Sequence, residues 1–148
     1  MCKNDVEIKM RGGRSKIKGI DDIEGDITIF KSGEKVGEAG FIITNYQISV
    51  DTITIEDKFI RLGYGKLLVN LLKGLSRLLT KPIVLYSLKE SYEFYASMGF
   101  TKLKKIHNEK KKLVIVMFKS KNEPKIEDLD LIWLPESLRR KRELRVEL

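Results

Sequence analysis

Residues 53–72 have the sequence ITIEDKFIRLGYGKLLVNLL, which combines a strand, a glycine-containing turn and a helix. The alternation of Ile53 and Ile55 predicts the strand, and the leucines at helical spacing in the second half predict the helix. Gly63 and Gly65 lie between the two elements, where glycine allows tight turns and a close approach of the backbone to a ligand. The first N–H groups of a helix lack internal partners, and the helix dipole favours negative charge there. The stretch therefore predicts an anion site that suits a pyrophosphate.

The flanking sequence predicts an alternating α/β order around this stretch. Strands are predicted at residues 6–10, 26–31, 36–44, 48–56, 83–86, 101–106 and 113–119. Helices are predicted at residues 65–79, at residues 89–98 and, after Pro135, at residues 136–148. Residues 11–14 contain two glycines and are predicted to be flexible and basic, and residues 121–130 are polar and acidic.

The predicted strand at residues 48–56 changes the parity of its apolar positions. Ile48 and Val50 occupy even positions, whereas Ile53 and Ile55 occupy odd positions. Because strand side chains alternate between two faces, the apolar face switches near residues 51–52. An inserted residue, a β-bulge, would reconcile the two halves and free a backbone N–H for a ligand. Alternatively, the first half faces the other side of a sheet that is covered on both faces.

The positive charge of the chain is large and uneven. The 148 residues carry a formal net charge of +8, with lysines crowded in residues 101–120 and arginines in residues 139–145. Such runs occur on surfaces that bind nucleic acids or acidic partners. They also occur on solvated faces, and no aromatic residues interleave these lysines as a base-stacking platform would require. Charge alone therefore leaves both interpretations open.

The cysteine and histidine content bears on compartment and on metal binding. Cys2 is the single cysteine, which excludes an internal disulfide and is typical of a reducing compartment. The N-terminus lacks the hydrophobic segment of a signal peptide, and no apolar run reaches membrane-spanning length. A cytoplasmic protein without a membrane partner is therefore expected. His107 is the single histidine, so no metal site is expected.

The glycine turn fits a known loop pattern of Arg or Gln, two residues, Gly, one residue, and then Gly or Ala. Gly63 and Gly65 match the two small positions. The leading polar position falls on Ile60, and Arg61 is displaced from it by one residue. The match is imperfect, and a Gly-x-Gly turn alone is a weak signal.

A second motif lies on the predicted helix that follows the next strand. It is an aromatic-Tyr pair followed by Gly-Phe, matched by Phe94-Tyr95 and Gly99-Phe100. The asparagine and alanine that usually precede it fall on Leu88 and Ser91. With both motifs on the expected elements at the expected separation, residues 26–119 resemble the GNAT (Gcn5-related N-acetyltransferase) superfamily.

This resemblance implies a fold and an activity. The implied fold is α/β (α+β), with a mixed, mostly antiparallel central sheet flanked by helices. The implied activity is transfer of an acetyl group from acetyl-CoA to an amine by direct attack. The turn would wrap the CoA pyrophosphate, and the preceding strand would pair with the pantetheine. The implied cofactor-binding residues are Ile53, Ile55, Ile60, Arg61, Leu62, Gly63, Tyr64, Gly65, Lys66 and Ser91.

Two catalytic residues follow from the same resemblance. Tyr95 would donate a proton to the departing thiolate, or it is a core aromatic residue beside Phe94 and Phe100. The attacking amine must lose a proton, because an alkylamine has a pKa of about 10. The glutamate that acts as base in some members falls near Ser49, which is no base. Asp51 is the nearest carboxylate within the strand, and Glu56 and Glu38 are other candidates. A water relay, or no dedicated base, would serve equally well.

The chain departs from the family between its first two strands. Family members usually carry two helices there that build the acceptor wall, whereas residues 11–25 leave room only for a loop or a short turn. With this shortened N-terminal helical region, the acceptor site is open or is completed by a second subunit. Residues 1–120 are predicted to form the acyl-CoA-binding domain, and residues 121–148 a C-terminal extension that ends in a basic helix. Trp133 would anchor this extension on the domain or on a partner, and a homodimer is expected.

Three functions are compatible with these features. The preferred function is an acyl-CoA-dependent N-acetyltransferase with an amine acceptor, carried by an acidic protein or by RNA. The second is a catalytically silent GNAT-like binding module that holds a protein or nucleic-acid partner through its basic face and tail, as Ile60 and Leu88 suggest. The third is a basic nucleic-acid-binding protein, which predicts salt-dependent binding without affinity for CoA.

Overall fold

A computed structural model describes residues 5–14, 22–107, 113–118, 129–140 and 144–146. In chain order the strands are β1 (Val6–Arg14), β2 (Ile23–Lys31), β3 (Glu34–Ile43), β4 (Ile48–Ile55), β5 (Ile83–Ser87), β6 (Thr101–His107), β7 (Leu113–Phe118), β8 (Leu129–Trp133) and β9 (Leu144–Arg145). The helices are α1 (Tyr64–Leu79) and α2 (Tyr92–Ser97), and short 3-10 turns occur at Asp57–Phe59, Lys89–Ser91 and Glu136–Leu138.

All of these strands belong to one sheet with the order β1-β2-β3-β4-β5-β8-β6-β7-β9. The neighbours pair antiparallel, except that β4 and β5 run parallel. A parallel pair needs a crossover connection, and α1 provides it. The predicted mixed, mostly antiparallel sheet flanked by helices is confirmed.

The segment predicted to be flexible at residues 11–14 is instead the second half of β1. Arg11 to Arg14 pair in continuous register with β2, from Arg11↔Asp26 to Arg14↔Ile23. The facing strand β2 carries a glycine, Gly25, where the two backbones approach closely. A Cβ added to Gly25 would lie 2.6 Å from the Arg11 carbonyl oxygen. The prediction was wrong because pairing with β2 outweighs the intrinsic freedom of glycine.

Strand β4 contains the bulge that its apolar parity suggested. Gly40 of β3 pairs with Thr52, whereas the next residue of β3, Phe41, pairs with Val50. Asp51 is therefore the extra residue on β4. The insertion directs the even-numbered apolar side chains before it and the odd-numbered ones after it into the same core.

Helix α1 covers the centre of the sheet on one face. Leu68, Val69 and Leu72 recur at helical spacing and are fully buried against β3, β4 and β5. The helix ends at Thr80, which adopts a left-handed conformation with φ of 54° and donates its N–H to the Ser76 carbonyl. Among the described residues, no helix is both long and apolar enough to cross a membrane.

Strand β8 lies inside the sheet, between β5 and β6. Its Trp133 is 3 % exposed and belongs to the same core as α1. The cationic groups of Lys73, Arg77 and Arg139 lie 5.1, 5.2 and 5.6 Å from the indole ring. Burial and the two neighbouring guanidinium groups lower the pKa of Lys73. The apolar cluster after residue 128 therefore packs on its own chain.

The basic helix predicted at residues 136–148 is wrong. The described part of this segment forms a 3-10 turn at Glu136–Leu138 and the short strand β9, which pairs with β7. Leu138 and Val146 are buried against Val84 and Ile132 of the sheet. The prediction was wrong because Leu144 and Arg145 pair with β7 and continue the sheet.

Three sequence predictions fall outside the described residues. The segment between β1 and β2, where the family has two helices, lies mostly in residues 15–21. The boundary proposed at residue 120 and most of the acidic segment after it lie in residues 119–128. The turn between β6 and β7 lies in residues 108–112.

Candidate functional site

The parallel strands β4 and β5 separate at the bulge. Their ladder runs from Ile48↔Ile83 to Val50↔Leu85 and then ends. Beyond Asp51, β4 pairs only with β3 among the described residues. The two strands therefore form a cleft whose floor is the point of separation and whose one wall is the open edge of β4.

Backbone groups on this edge are free to pair with a ligand. The N–H of Glu56 donates to Val36 of β3 at 2.8 Å, so Glu56 points toward β3. Because successive residues alternate between the two edges of a strand, Ile53 and Ile55 direct their N–H and C=O groups into the cleft. The N–H of Ile48 points to the same side, where it donates to Pro82 at 2.8 Å. The cleft wall thus offers donors and acceptors to an extended, amide-containing chain.

The glycine turn lies at the far end of the open edge. Arg61 and Gly63 both adopt positive φ, at 64° and 90°. Gly63 is the N-cap of α1, where no side chain caps the helix, and its carbonyl accepts the first helical bond from Leu67 at 3.1 Å. The N–H groups of Tyr64, Gly65 and Lys66 therefore lack helical partners.

The electrostatics of this turn favour an anion. The first turn of α1 contains no acidic residue, so no carboxylate in that turn neutralises the positive end of the helix dipole. Arg61 and Lys66 are exposed beside it, as are Ile60 and Leu62, at 49 % and 63 %. The turn residues named from the sequence are thus together on one exposed surface.

Gly65 brings the two helices together. A Cβ placed on it would meet the ring of Phe94 in α2 at 3.4 Å. This close contact fixes α2 beside the start of α1 and sets the position of Tyr95, the next residue. Ser91 precedes the first residue of α2 and is half-buried, whereas Leu88 is 58 % exposed.

Tyr95 is a half-buried aromatic residue with a protonated hydroxyl. Its ring makes edge contacts with Phe94 and Phe100 at centroid distances of 5.2 and 5.6 Å. Burial raises the pKa of Tyr95 above the ordinary tyrosine value. Among the described residues, the structure gives its hydroxyl no hydrogen bond. A neutral hydroxyl without a competing protein partner is suited to donate a proton.

A cavity of about 660 Å³ lies on the other face of β1 to β4. Glu38 and Gly40 line it, whereas Ala39 between them is buried in the core that α1 covers, so the acidic side chains lie on the face opposite α1. Phe41, which belongs to that core, also borders the cavity. The carboxylates along it are Glu24, Asp26, Glu38 and Asp51. Among the described residues, no three Asp, Glu, His or Cys side chains are arranged to hold a metal ion.

Sequence reasoning missed Glu24 and Asp26 as part of this site. The two residues are two positions apart on β2, which places them on one face, and this spacing was the available signal. Arg11 of β1 lies opposite Asp26, with Nε 3.4 Å from Oδ1. Only the strand register places these side chains on the same cavity as Asp51.

Ser49, the predicted position of the family's glutamate, takes part in a local hydrogen bond. Its hydroxyl accepts a hydrogen bond of 2.7 Å from the side-chain amide of Gln47, which is 1 % exposed. The strand residue where some family members carry glutamate thus takes part in a local amide–hydroxyl pair. A carboxylate for the acceptor must come from elsewhere on the sheet.

Comparison with known proteins supports the fold. No family model matches the chain, and no curated protein matches it in sequence. Solved structures do match. NAA60 from Arabidopsis thaliana, in complex with a bisubstrate analogue, matches with a TM-score of 0.55 and 12% identity over 75% of both chains. The ribosomal-protein-S18-alanine N-acetyltransferase from Escherichia coli has a TM-score of 0.54 and 13% identity, over 84% of this chain and 70% of the other.

A third structure is the Bacillus subtilis N-acetyltransferase YlbP in complex with coenzyme A. It has a TM-score of 0.53 and 18% identity, over 77% of this chain and 70% of that one. Together these neighbours show that the chain has the GNAT fold. At these identities the likeness concerns the fold, and the chemistry must be argued from the residues of this chain.

Proposed function

We propose that this protein is an acetyl-CoA-dependent N-acetyltransferase. The observation that carries the proposal is the open half of β4, which leads from the bulge at Asp51 to the uncapped start of α1. The cleft has backbone groups for the amides of a pantetheine arm at one end and free N–H groups for a pyrophosphate at the other. The GNAT fold of its structural neighbours supports the same activity.

In this proposal the turn and the strand bind acetyl-CoA together. Backbone N–H groups from Gly63 to Lys66 bind the pyrophosphate, and Arg61 and Lys66 add positive charge. Ile53 and Ile55 pair with the pantetheine as if it were an added strand. Ile60, Leu62 and Tyr64 complete the walls of the turn, and Ser91 faces the ligand from the start of α2.

Acyl transfer then needs a stabilised oxyanion and a proton for the leaving group. The amine nitrogen attacks the thioester carbonyl, the carbon–sulfur bond breaks, and Tyr95 protonates the thiolate. Burial keeps the Tyr95 hydroxyl protonated, as this role requires. At the bulge, backbone N–H groups that are turned out of the ladder stabilise the negative charge on the carbonyl oxygen.

Asp51 is proposed to receive the proton of the acceptor amine. It is the carboxylate on β4 itself, and it lines the cavity on the face without helices. Glu24, Asp26 and Glu38 surround the same cavity and attract an ammonium group before it is deprotonated. The acceptor is therefore a cationic amine. We place it on an acidic protein or an RNA because the chain as a whole carries a net charge of +8.

Titration calorimetry with acetyl-CoA tests the proposal directly. Binding that fails at millimolar ligand, a limit of about −4 kcal/mol, would contradict it. The variant Gly63→Val places a side chain in the path of the pyrophosphate, and Gly33→Val, at a glycine of similar positive φ in the β2–β3 turn, controls for the backbone strain. A thiol-release assay with a panel of amines then measures transfer.

A catalytically silent acyl-CoA-binding module is the second candidate. The positions that are usually polar in the two motifs carry Ile60 and Leu88, and both are exposed, at 49 % and 58 %. Exposed apolar side chains at these positions fit a surface that contacts a partner. Acetyl-CoA binding without thiol release for any amine would favour this function.

A further inference from the structure

The sheet ends in a long strand with a free outer edge. β1 is the terminal strand, and each of its residues is exposed. Among the described residues, nothing pairs with its outer side. Proteins usually protect such edges with bulges or short strands, because the unpaired backbone groups recruit another strand. β1 pairs with β2 in continuous register over nine residues and contains no bulge.

The outward backbone groups of β1 belong to its even-numbered residues. The carbonyl of Asp5 accepts a hydrogen bond of 2.9 Å from Ser32, so Asp5 points toward the β2 side. By alternation, the N–H and C=O groups of Val6, Ile8 and Met10 point outward. These three residues are therefore the ones whose backbone can pair with a further strand.

The same three side chains form an uncovered apolar row. Val6, Ile8 and Met10 are 39 %, 43 % and 54 % exposed. In the β1–β2 register, Ile8 and Met10 lie opposite Ile29 and Ile27, which are completely buried. The row thus continues the core face of the sheet beyond the part that α1 covers.

We propose that β1 pairs with β1 of a second copy of this chain, antiparallel and centred on Ile8. In this register Ile8 faces Ile8, and Val6 faces Met10. On the other face, Glu7 lies opposite Lys9, and Asp5 lies opposite Arg11. Every apolar residue from 5 to 11 meets an apolar residue, and every charge meets its opposite.

Neighbouring registers do not share this complementarity. Shifting the centre to Lys9 places Lys9 against Lys9, and shifting it to Glu7 places Glu7 against Glu7. A shift to Met10 sets Lys9 against Arg11. A register centred between two residues pairs odd-numbered with even-numbered positions. Because the charged residues of β1 are odd-numbered and the apolar ones even-numbered, such a register pairs charged residues with apolar ones. The sequence of β1 is therefore self-complementary in one alignment.

Existing contacts leave these charges able to pair between copies. Lys9 and Glu7 contact each other within the chain at 3.8 Å, and both side chains are more than half exposed. Such exposed pairs contribute little. The opposite end of the sheet is β9, with two residues, so a head-to-tail contact between β1 and β9 would be short. The symmetric β1–β1 contact instead closes as a dimer.

Pairing would also bring the second copy to the rim of the acidic cavity. Arg11 lines that cavity and contacts Asp26. In the proposed register, Asp5 of the second copy lies opposite Arg11. The dimer thus adds one more carboxylate beside the cavity, although the interface itself does not depend on acyl transfer. Strand-edge contacts of this length are small, so a dissociation constant in the micromolar range is expected.

Sedimentation of the full chain over a range of concentrations tests the dimer, and two charge reversals test its register. Glu7→Lys and Lys9→Glu each create like-charge pairs across the symmetry axis, and each is expected to raise the dissociation constant about tenfold or more. Mixing the two variants restores opposite charges at both positions, so heterodimers form at the wild-type affinity. Glu90→Lys, a reversal at an exposed residue remote from β1, leaves the dissociation constant unchanged.

Three results would overturn the proposal. The first is a wild-type chain that stays monomeric at its highest soluble concentration. The second is a dimer that both reversals leave intact, because its interface must then lie elsewhere. The third is a mixture of the two variants that fails to dimerise although circular dichroism shows both to be folded. This last result would reject the register centred on Ile8.

Discussion

The two halves of β4 both alternate apolar and polar residues, but their surroundings differ. Ile48 to Val50 pair with strands on both sides, and their apolar side chains are buried. Beyond Asp51 the strand pairs on one side only, and Ile53 and Ile55 face the cleft with their backbone groups. The difference arises from one inserted residue. It shows how a central strand acquires an open edge without losing its apolar face.

Deleting Asp51 would remove the difference between the two halves of β4. Of the variants proposed, it should have the largest effect on acetyl-CoA binding. Without the extra residue, Thr52 follows Val50 directly, so Ile53 and Ile55 stay on the core face in regular alternation with Val50. The bend that the bulge gives to β4 is lost, so the open half should stay alongside β5 and the cleft should close. We therefore expect loss of acetyl-CoA binding with little change in the unfolding free energy. Calorimetry and urea unfolding measure the two effects. An acetyl-CoA affinity equal to that of wild type would show that the bulge does not form the cleft.

Replacing the proposed proton donor tests whether the cleft beside the open half of β4 carries out acyl transfer. Tyr95→Phe should lower turnover by about 10²–10⁴-fold, the usual contribution of one general acid, and leave acetyl-CoA affinity nearly unchanged. Tyr92→Phe removes a hydroxyl from the same helix and is the matched control. Equal rates for both variants would remove Tyr95 from the mechanism.

The pH profile gives a second measure of the same residue. Burial raises the pKa of Tyr95, so the wild-type hydroxyl stays protonated to higher pH than that of an ordinary tyrosine, whose pKa is about 10. Turnover should therefore rise with pH as the acceptor amine loses its proton, without an alkaline decline below about pH 10. A decline in turnover that begins near pH 8 in wild type and is absent in Tyr95→Phe would contradict the raised pKa of Tyr95.

The side chain at the bulge can be tested separately from the bulge itself. Asp51→Asn keeps the inserted residue but removes the base, so stability should stay close to wild type. Because Asp51 is exposed, we expect a loss of kcat/KM near about 10²-fold, the lower end of the range for a general base. The loss should shrink at high pH, where the amine is already neutral. A pH-independent loss would assign Asp51 to acceptor binding alone.

The smallest expected effect is that of an alanine substitution in the glycine turn, at the end of the open edge of β4. Gly63 and Gly33 both have positive φ, 90° and 80°, and a Cβ on either would contact nothing within 4 Å. Alanine at each site should therefore cost about 1–2 kcal/mol of backbone strain alone. Gly63→Ala should also weaken acetyl-CoA binding, whereas Gly33→Ala, in the β2–β3 turn, should not. Equal acetyl-CoA affinities would place the pyrophosphate elsewhere.

Local patterns predicted much of the fold. The parity change in β4 suggested the bulge because strand alternation is encoded in neighbouring residues. Helix α1 could be predicted from its leucine spacing and from the glycine turn before it. Most of the candidate cofactor-binding residues could also be predicted locally, because one strand–turn–helix unit contains them. They are residues 53, 55 and 60–66.

Features that depend on distant pairing could not be predicted. The place of β8 is set by partners in β5 and β6, and its short apolar run carries no alternation that identifies a strand. The tail was expected to be helical after Pro135, but Leu144 and Arg145 pair with the distant strand β7 instead. Glu24 and Asp26 join Asp51 only through the register of three strands.

The position of β8 has a consequence for the order in which the chain folds. Ile83 pairs with Trp133 and Thr101 pairs with Ile132, so a late segment fills the space between two earlier strands. During synthesis, the edges of β5 and β6 that pair with β8 lack their partner until residues 129–133 leave the ribosome. Non-local pairings of this kind slow folding, and the waiting edges invite aggregation. A nascent chain that stops before residue 129 should therefore bind chaperones far more strongly than the complete chain.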